Sequence, residues 1–291
     1  MPTRALAFLS LTLLVSAAGA SAADGEPIPP GGIPDFVPAR PLGMAASIGV
    51  AGGNEGIYVN PASIAARKRY SIEGMLLHDR RGAENTDRFY GMSVVDSQTS
   101  SITAGVSYLR DNGALYSGNA FHLALSGPLA DSFKIGVTGK LFQLEGATSY
   151  RAANADAGAY WQITNLVSMG FVGYNLVSSG QNSVVTPMGA GAGFAIGSDR
   201  YVQVTGDWRA DFDRNGGKTT NRYAAGAEGL IQNLVVLRGG FMRDETLGTS
   251  WWSLGTGFVT QGAALDIGYR QSTTDPSARQ LAATLKVFVN Q

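Results

Sequence analysis

The chain has 291 residues with 22 basic and 22 acidic side chains, so its formal net charge is zero. This neutrality argues against nucleic acid as a partner, and the absence of cysteine from the sequence excludes disulfide bonds and a lipoprotein anchor. Charged residues are 15% of the chain and glycine supplies 39 residues, so the chain is poorer in charge and richer in glycine than an ordinary soluble domain.

Residues 1–22 are predicted to be a signal peptide. Arg4 supplies the positive charge, residues 5–15 form an apolar run, and Ala20-Ser21-Ala22 provides the small residues of a cleavage site. Cleavage after Ala22 predicts an exported mature chain. An uncleaved membrane anchor is the alternative, but the apolar run is too short to span a bilayer comfortably.

Residues 23–68 are predicted to form a small N-terminal hatch, which we call the plug. Residues 24–45 are rich in proline and lack the periodicity of a helix or a strand. Asn60 suits a helix N-cap and Pro61 the first helical position, and this helix can run only about two turns before the basic residues 67–69. Because so short a helix is marginal alone, a larger structure must hold it.

From residue 69 onward, apolar and polar residues alternate. Tyr70, Ile72 and Leu76, for example, alternate with Ser71 and Glu73. One face of each segment is apolar and the other carries nearly all the charge, which is typical of strands between an apolar medium and water. The segments are about ten residues long, the length that a tilted strand needs to cross a bilayer. The predicted strands are 69–78, 87–96, 100–109, 117–127, 132–144, 153–163, 166–176, 187–196, 200–209, 220–230, 234–243, 249–259, 263–272 and 280–289.

The connections between these strands alternate between long and short. Bacterial outer-membrane barrels have short periplasmic turns and longer outer loops, and chain ends on the same side require an even number of strands. We therefore predict an all-β fold: an antiparallel transmembrane barrel of about 14 strands in the bacterial outer membrane, spanning residues 69–291, surrounded by outer-membrane lipids and plugged in its lumen. A soluble sandwich or barrel is the alternative, but it requires neither uniform strands nor this loop asymmetry.

Strand parity directs a set of charged side chains into the lumen. Both signs are mixed, which favours a network of paired charges that fills the interior over an ion-selective pore, whose lining shows one sign. A barrel of this width also needs a plug if it is not to leak. The predicted lumen residues are Glu73, Lys134, Lys140, Asp156, Asp207, Arg209, Arg222, Glu228, Arg238, Asp266, Arg270 and Lys286.

The motif Asn60-Pro61-Ala62, directly before the first of fourteen strands, resembles the hatch of FadL-type hydrophobic-compound transporters and of the related PorV-type proteins. The resemblance implies that these three residues belong to the hatch. It also implies that an apolar ligand enters from outside and leaves laterally through the wall into the membrane. The predicted outer loops have only about five to ten residues, whereas FadL-type transporters have long loops that capture the ligand.

The residues offer little for catalysis or for a cofactor. The only histidines are His78 and His122, and no G-x-S-x-G elbow is present, so we predict that the chain is not an enzyme and binds no cofactor. Asp211, Asp213 and Asn215 match the first half of a calcium loop, but Arg222 stands where a bidentate glutamate is required. A polar outer turn with weak cation binding is the preferred interpretation of these residues.

Two functions follow from the resemblance. The first is passive uptake of small hydrophobic compounds, of the fatty-acid or aromatic class, with lateral release. The second is a PorV-type scaffold or secretion-associated protein that binds a protein partner. An apolar cavity in the lumen, or a gap in the wall near the third strand, favours transport, and a lumen packed with ion pairs favours the scaffold. A nonspecific porin is disfavoured by the plug.

Overall fold

The computed structural model describes residues 36–80, 86–113, 117–145, 149–181, 188–213 and 218–289. Two short α-helices, α1 (Ala39–Met44) and α2 (Gly56–Val59), are followed by a 3₁₀ helix at Pro61–Ala66. The strands are β1 (Tyr70–Arg80), β2 (Thr86–Asp96), β3 (Thr103–Asn112), β4 (Ser117–Ala130), β5 (Phe133–Glu145), β6 (Ser149–Thr164), β7 (Val167–Gln181), β8 (Gly189–Gly197), β9 (Val202–Asp213), β10 (Lys218–Ile231), β11 (Val235–Asp244), β12 (Thr249–Val259), β13 (Ala263–Ser272) and β14 (Arg279–Phe288).

The strands form one closed antiparallel barrel. Each strand pairs with its neighbours in sequence, and β1 pairs with β14 to close the ring. The predicted fold class and all fourteen predicted strands are confirmed. We call the end that holds Tyr70 and Phe288 the turn end and the opposite end the loop end. Several strands reach further toward the loop end than predicted, because the ladder continues to Asp213 in β9 and back to Ser149 in β6. The connections at that end are correspondingly shorter.

The outer face of the barrel is apolar. Side chains at alternate positions of each strand point outward and remain about half exposed in the isolated chain; Leu76, Val106, Val137, Leu237 and Leu285 are examples. The inward positions of the same strands hold buried polar residues such as Ser71, Thr138 and Glu228. This inversion of the usual core pattern is what a lipid environment requires. Within the described ranges, no helix is long and apolar enough to cross a membrane.

The described part of the plug, residues 36–68, lies inside the barrel. It is almost entirely buried, and its helices pack against strands on opposite sides of the lumen, α1 against β10–β14 and the 3₁₀ helix against β4–β6. The helix α1 ends at Ala45, which has a left-handed φ of 64° and donates its N–H to the Pro41 carbonyl. The predicted signal peptide and residues 23–35 of the plug lie outside the described residues.

Candidate functional site

A set of inward-facing glycines forms the seat of the plug. A Cβ atom at Gly268 in β13 would lie 2.2 Å from the carbonyl oxygen of Ala39, and one at Gly226 in β10 would lie 1.8 Å from that of Met44. Such distances are far below van der Waals contact, so only glycine lets the plug backbone approach the wall this closely. Other inward glycines in close contact with the plug are Gly136, Gly158, Gly170, Gly191, Gly193, Gly240 and Gly255.

Asn60, the first residue of the predicted hatch motif, links two parts of the plug to the wall. Its side chain is fully buried, and its Nδ2 donates to the carbonyls of Ile48, at 3.0 Å, and of Ala159 in β6, at 3.1 Å. Its Oδ1 accepts from the backbone N–H of Ala62 at 3.1 Å, which is the predicted N-cap geometry. The predicted helix that it caps is the 3₁₀ helix at Pro61–Ala66.

Replacing Asn60 by alanine is expected to loosen the plug. The change leaves the buried Ala62 N–H and two buried carbonyls without this partner, and it should lower the free energy of unfolding by about 1–3 kcal/mol. The measurement is urea unfolding of the protein in lipid vesicles. Asn112→Ala, at an exposed site at the end of β3, is the matched control and should leave stability within about 0.5 kcal/mol of the parent. An Asn60 variant as stable as the control would contradict this role.

A chain of buried opposite charges joins the plug to five strands. Arg40 of α1 binds Glu228 in β10 through two hydrogen bonds of 2.9 and 3.1 Å and binds Glu55 of the plug at 2.8 Å. The chain continues through Arg238 to Asp266 on one side and through Lys286 to Glu73 on the other. Five members belong to the predicted lumen set. Arg40 and Glu55 do not, because they lie in the plug, where no periodicity predicts which side chains meet the wall.

The charges of Arg40 and Glu55 stabilise each other. Burial by itself would raise the pKa of Glu55, but Lys286 and Arg40 outweigh burial and hold the pKa of Glu55 well below its ordinary value. Burial likewise opposes the charge of Arg40, but Glu228 and Glu55 raise the pKa of Arg40 well above its ordinary value. A lowered carboxyl pKa stabilises the folded state above the unfolded pKa. Glu55 therefore stabilises the plug at neutral pH and loses this effect as the pH falls through its lowered pKa.

The remaining predicted lumen charges do not join this chain. Lys140 in β5 pairs with Asp156 in β6 at 2.6 Å. The Asp207 carboxylate accepts from the backbone N–H groups of Ser47 and Ile48 in the plug, at 2.5 and 2.9 Å. The structure thus divides the predicted single network into separate parts.

Four further members of the predicted set lie apart from the plug. Arg270 donates to Gln280 and lies over the ring of Trp251. Lys134 lies at the turn end, where it donates to the carbonyls of Ala130 and Asp131. Arg209 and Arg222 both pair with Asp211, which was predicted to lie in an outer turn.

The structure does not place Asp211 in the predicted outer turn. Asp211 is in β9, not in a turn, and its carboxylate is buried and paired with Arg209 at 2.9 Å and Arg222 at 3.0 Å. Two guanidinium groups occupy the oxygens that a cation would need. Asp213 lies at the end of β9 and Asn215 is outside the described residues. No metal-binding group of side chains occurs among the residues that the structure describes.

A cavity of about 200 Å³ lies between the plug and the loop end of the lumen. Its position follows from its lining, which includes Leu109 and Leu144 near the loop ends of β3 and β5. One wall is largely aromatic and apolar, formed by Phe36, Tyr58, Phe89, Leu109, His122 and Phe142. The rest of the lining includes charged residues, namely Lys140, Asp156, Asp207, Arg209, Arg222 and Arg270, and Lys140 is the ladder partner of His122. The cavity therefore offers an apolar surface beside a polar one.

The aromatic wall is built from edge contacts between rings. Tyr58 of the plug meets Phe36 and His122 at centroid distances of 5.1 and 5.2 Å, and His122 meets Phe142 at 5.9 Å. Rings packed in this way expose both faces and edges, which an aromatic ligand can contact. His122 Nδ1 lies 3.1 Å from Ser107 Oγ, so the histidine is held by a hydroxyl and by rings.

No protein-family model and no curated protein matches the sequence. Among solved structures, that of a Pseudomonas aeruginosa FadL homologue is similar, with a TM-score of 0.65 at 11% identity over 89% of this chain and 99% of that chain. The Ralstonia pickettii toluene transporter TbuX has a TM-score of 0.64 at 11% identity, over 87% and 97%. The CymD monoaromatic hydrocarbon channel has a TM-score of 0.61 at 14% identity, over 87% and 96%.

The closed barrel with an apolar exterior and these similarities define the class: the chain is a transmembrane β-barrel of the bacterial outer membrane. Its fold is that of the FadL-type channels, as the residues 60–62 and the strand count predicted. The similarity covers nearly the whole of each solved chain.

Proposed function

We propose that the protein is a passive channel for small hydrophobic compounds, which it releases laterally into the membrane. The cavity between the plug and the loop end is the observation that supports this proposal most directly. The plug fills the lumen on the turn side, where Asn60, Arg40 and the inward glycines hold it, so a direct route along the barrel axis is blocked. A greasy solute that leaves sideways never has to cross water.

The size and lining of the cavity support a ligand with a single ring or a short chain. An apolar protein cavity of about 150 Å³ can hold benzene, and the cavity here is about 200 Å³. Phe36, Tyr58 and Phe142 would contact such a ring by edge or face. Two structurally similar proteins are a toluene transporter and a monoaromatic hydrocarbon channel, in agreement with a ligand of this size. The proposal assigns no chemical step to the chain and no cofactor.

The test is to fill the cavity without changing the outside of the barrel. Ala224 in β10 lines the cavity, and the adjacent Ala225 points into the lipid. Ala224→Trp is expected to lower the affinity of the purified protein for its ligand at least about tenfold, because the indole occupies the space. Ala225→Trp is the matched control and should bind as the parent does.

Two probes, labelled toluene and labelled decanoate, are used in equilibrium dialysis against the protein in detergent. Binding of either probe by the parent protein, lost in Ala224→Trp and retained in Ala225→Trp, would support the proposal. If the parent binds neither probe, or if Ala224→Trp binds as well as the parent, the cavity is not a site for small hydrophobic compounds.

A further inference from the structure

The wall of the barrel is interrupted in β7 beside the cavity. The pairing of β6 with β7 is regular up to Ala157 opposite Gly173 and resumes at Ala155 opposite Val177. A single residue of β6, Asp156, therefore faces three residues of β7, at 174–176. Asn175, in the middle of this bulge, has a left-handed φ of 54°. A bulge of this kind removes ladder hydrogen bonds and bends the strand.

Side chains replace the lost ladder bonds. The backbone N–H of Asn175 donates to the Asp156 carboxylate at 2.8 Å, and Lys140 Nζ binds both Asp156 Oδ1, at 2.6 Å, and Asn175 Oδ1, at 2.8 Å. We call these three residues the clasp. A contact between side chains can open by rotation about side-chain bonds, whereas a backbone ladder opens only if the strands separate.

The bulge separates the cavity from the membrane. On the inner side, Asn175, Tyr174 and the other clasp residues line the cavity. On the outer side, Leu176 lies over Gly173, within 2.8 Å of the position where a glycine Cβ would stand, and Val177 is 64% exposed. At this point a flexible apolar side chain and a polar clasp, rather than a continuous ladder, close the wall.

Elsewhere among the described residues of the wall, no equivalent irregularity contacts the cavity. The strand β3 pairs with β2 and β4 without a register shift, so a gap near the third strand, which would favour transport, is absent from the described residues. The remaining register shifts, at 128–130 and 162–164, lie at the turn end, on the far side of the plug from the cavity. Only the bulge at 174–176 is both irregular and in contact with the cavity in the described part of the chain.

We propose that the bulge at 174–176 is the lateral exit of the cavity and that the clasp of Lys140, Asp156 and Asn175 closes it. This inference rests on the proposed uptake of hydrophobic compounds. Tyr174 stays in place because its hydroxyl donates to the Val59 carbonyl of the plug at 3.0 Å and the Arg209 guanidinium lies 4.1 Å from its ring centre. Opening therefore involves Asn175 and Leu176, which would move away from Asp156 and Gly173.

The test is a reversible cross-link across the bulge in a chain that has no cysteine of its own. Ala155 and Val177 are Cα partners on the outer face of β6 and β7 at the loop-end flank of the bulge. Partners in an antiparallel ladder are about 4.5–5.5 Å apart at Cα, which a disulfide can bridge. When oxidised, the Ala155→Cys/Val177→Cys pair ties β7 to β6 next to the bulge, so it is expected to prevent Asn175 and Leu176 from moving away from β6. Val94→Cys/Val106→Cys, across the regular β2–β3 ladder, is the matched control.

Two measurements are made on each variant: binding of labelled toluene by the purified protein, and the initial rate of toluene uptake by cells that produce it. The oxidised β6–β7 pair should bind toluene as the parent does but take it up at about one tenth of the parent rate or less, and reduction should restore uptake. The oxidised β2–β3 pair should bind toluene and take it up as the parent does. Uptake at the parent rate by the oxidised β6–β7 pair, with binding retained, would overturn the exit while leaving the proposed function intact. A parent protein that does not bind toluene would instead count against the proposed function.

A second variant keeps the exit testable if the cysteine pair does not fold. Leu176→Trp places a larger side chain over Gly173 on the lipid side and should slow uptake without changing binding in the cavity. Phe171→Trp, on the outer face of the same strand and below the bulge, is its control and should leave uptake unchanged. Equal uptake rates in the two tryptophan variants would contradict the proposed exit.

Discussion

Replacing Gly268 by leucine is expected to drive α1 from its seat and leave the lumen open to ions. A Cβ at this position would lie 2.2 Å from the Ala39 carbonyl oxygen and 3.0 Å from the Gly43 nitrogen. These are backbone atoms of the plug, which cannot turn aside as a side chain can, and the wall around Gly268 is fixed by ladders on both sides. The plug is therefore the part that must move. The measurement is ion conductance of the purified protein in planar bilayers.

The matched control is Gly74→Leu. Gly74 lies in β1 on the outer face, with no atom within 4 Å of the position of its absent Cβ. Its leucine should extend into lipid and leave the conductance at the low level of the parent. Gly226→Ala, which puts a methyl group 1.8 Å from the Met44 carbonyl oxygen, is expected to act in the same direction as Gly268→Leu with a smaller side chain. A folded Gly268→Leu variant with parent conductance would show that the plug does not depend on this close approach.

The barrel could be predicted from sequence because each strand obeys a single rule. Alternation with period two, a length near ten residues and charge on one face locate all fourteen strands. The rule is local, so it requires no knowledge of which strand is the neighbour. The predicted ends of the strands are less accurate, as in β6 and β9. Ladder hydrogen bonds continue beyond the apolar band, where the alternation of apolar and polar residues fades.

The plug and its contacts could not be derived in the same way. Arg40 and Glu55 lie in a segment without periodicity, and their pairing with Glu228 and Lys286 joins positions far apart in the chain. The glycine count is visible in the sequence, but the difference between inward Gly268 and outward Gly74 appears only once the plug is placed. Both features depend on long-range packing, which no short sequence window contains.

The residues around Asp211 and the bulge in β7 are two further features that could not be predicted from the sequence. The residues around Asp211 include several turn formers. Asp211 nevertheless continues β9, because it pairs with β8 and β10 in the ladder. In β7, apolar and small residues occupy both faces near Tyr174, so the alternation does not reveal the bulge there. The bulge becomes apparent only from the register of β6, which supplies Asp156 as the partner of Asn175.

Replacing Arg238 by methionine is expected to be among the most destabilising single substitutions in the barrel. The Arg238 side chain is almost fully buried, and it bridges Glu228 at 2.5 Å and Asp266 at 2.6 Å. Methionine fills a similar volume but leaves the Asp266 carboxylate buried without this partner, whereas Glu228 keeps Arg40 and Gln203. Breaking one side of a buried ion pair costs about 3–5 kcal/mol, and we expect the free energy of unfolding in lipid vesicles to fall by that amount.

We expect the loss of stability in Arg238→Met to arise from the unpaired Asp266 carboxylate rather than from the lost contact itself. A second substitution distinguishes these two causes. Removing the stranded charge as well, in Arg238→Met/Asp266→Leu, is expected to recover most of the lost stability, because apolar groups of similar volume can replace a buried pair at little cost. Arg243→Met, at an exposed site on the same strand, should change stability by less than about 1 kcal/mol. If the double variant were no more stable than Arg238→Met, the chain of charges would stabilise the barrel through Arg238 itself, and the isolated Asp266 carboxylate would not be the cause of the loss.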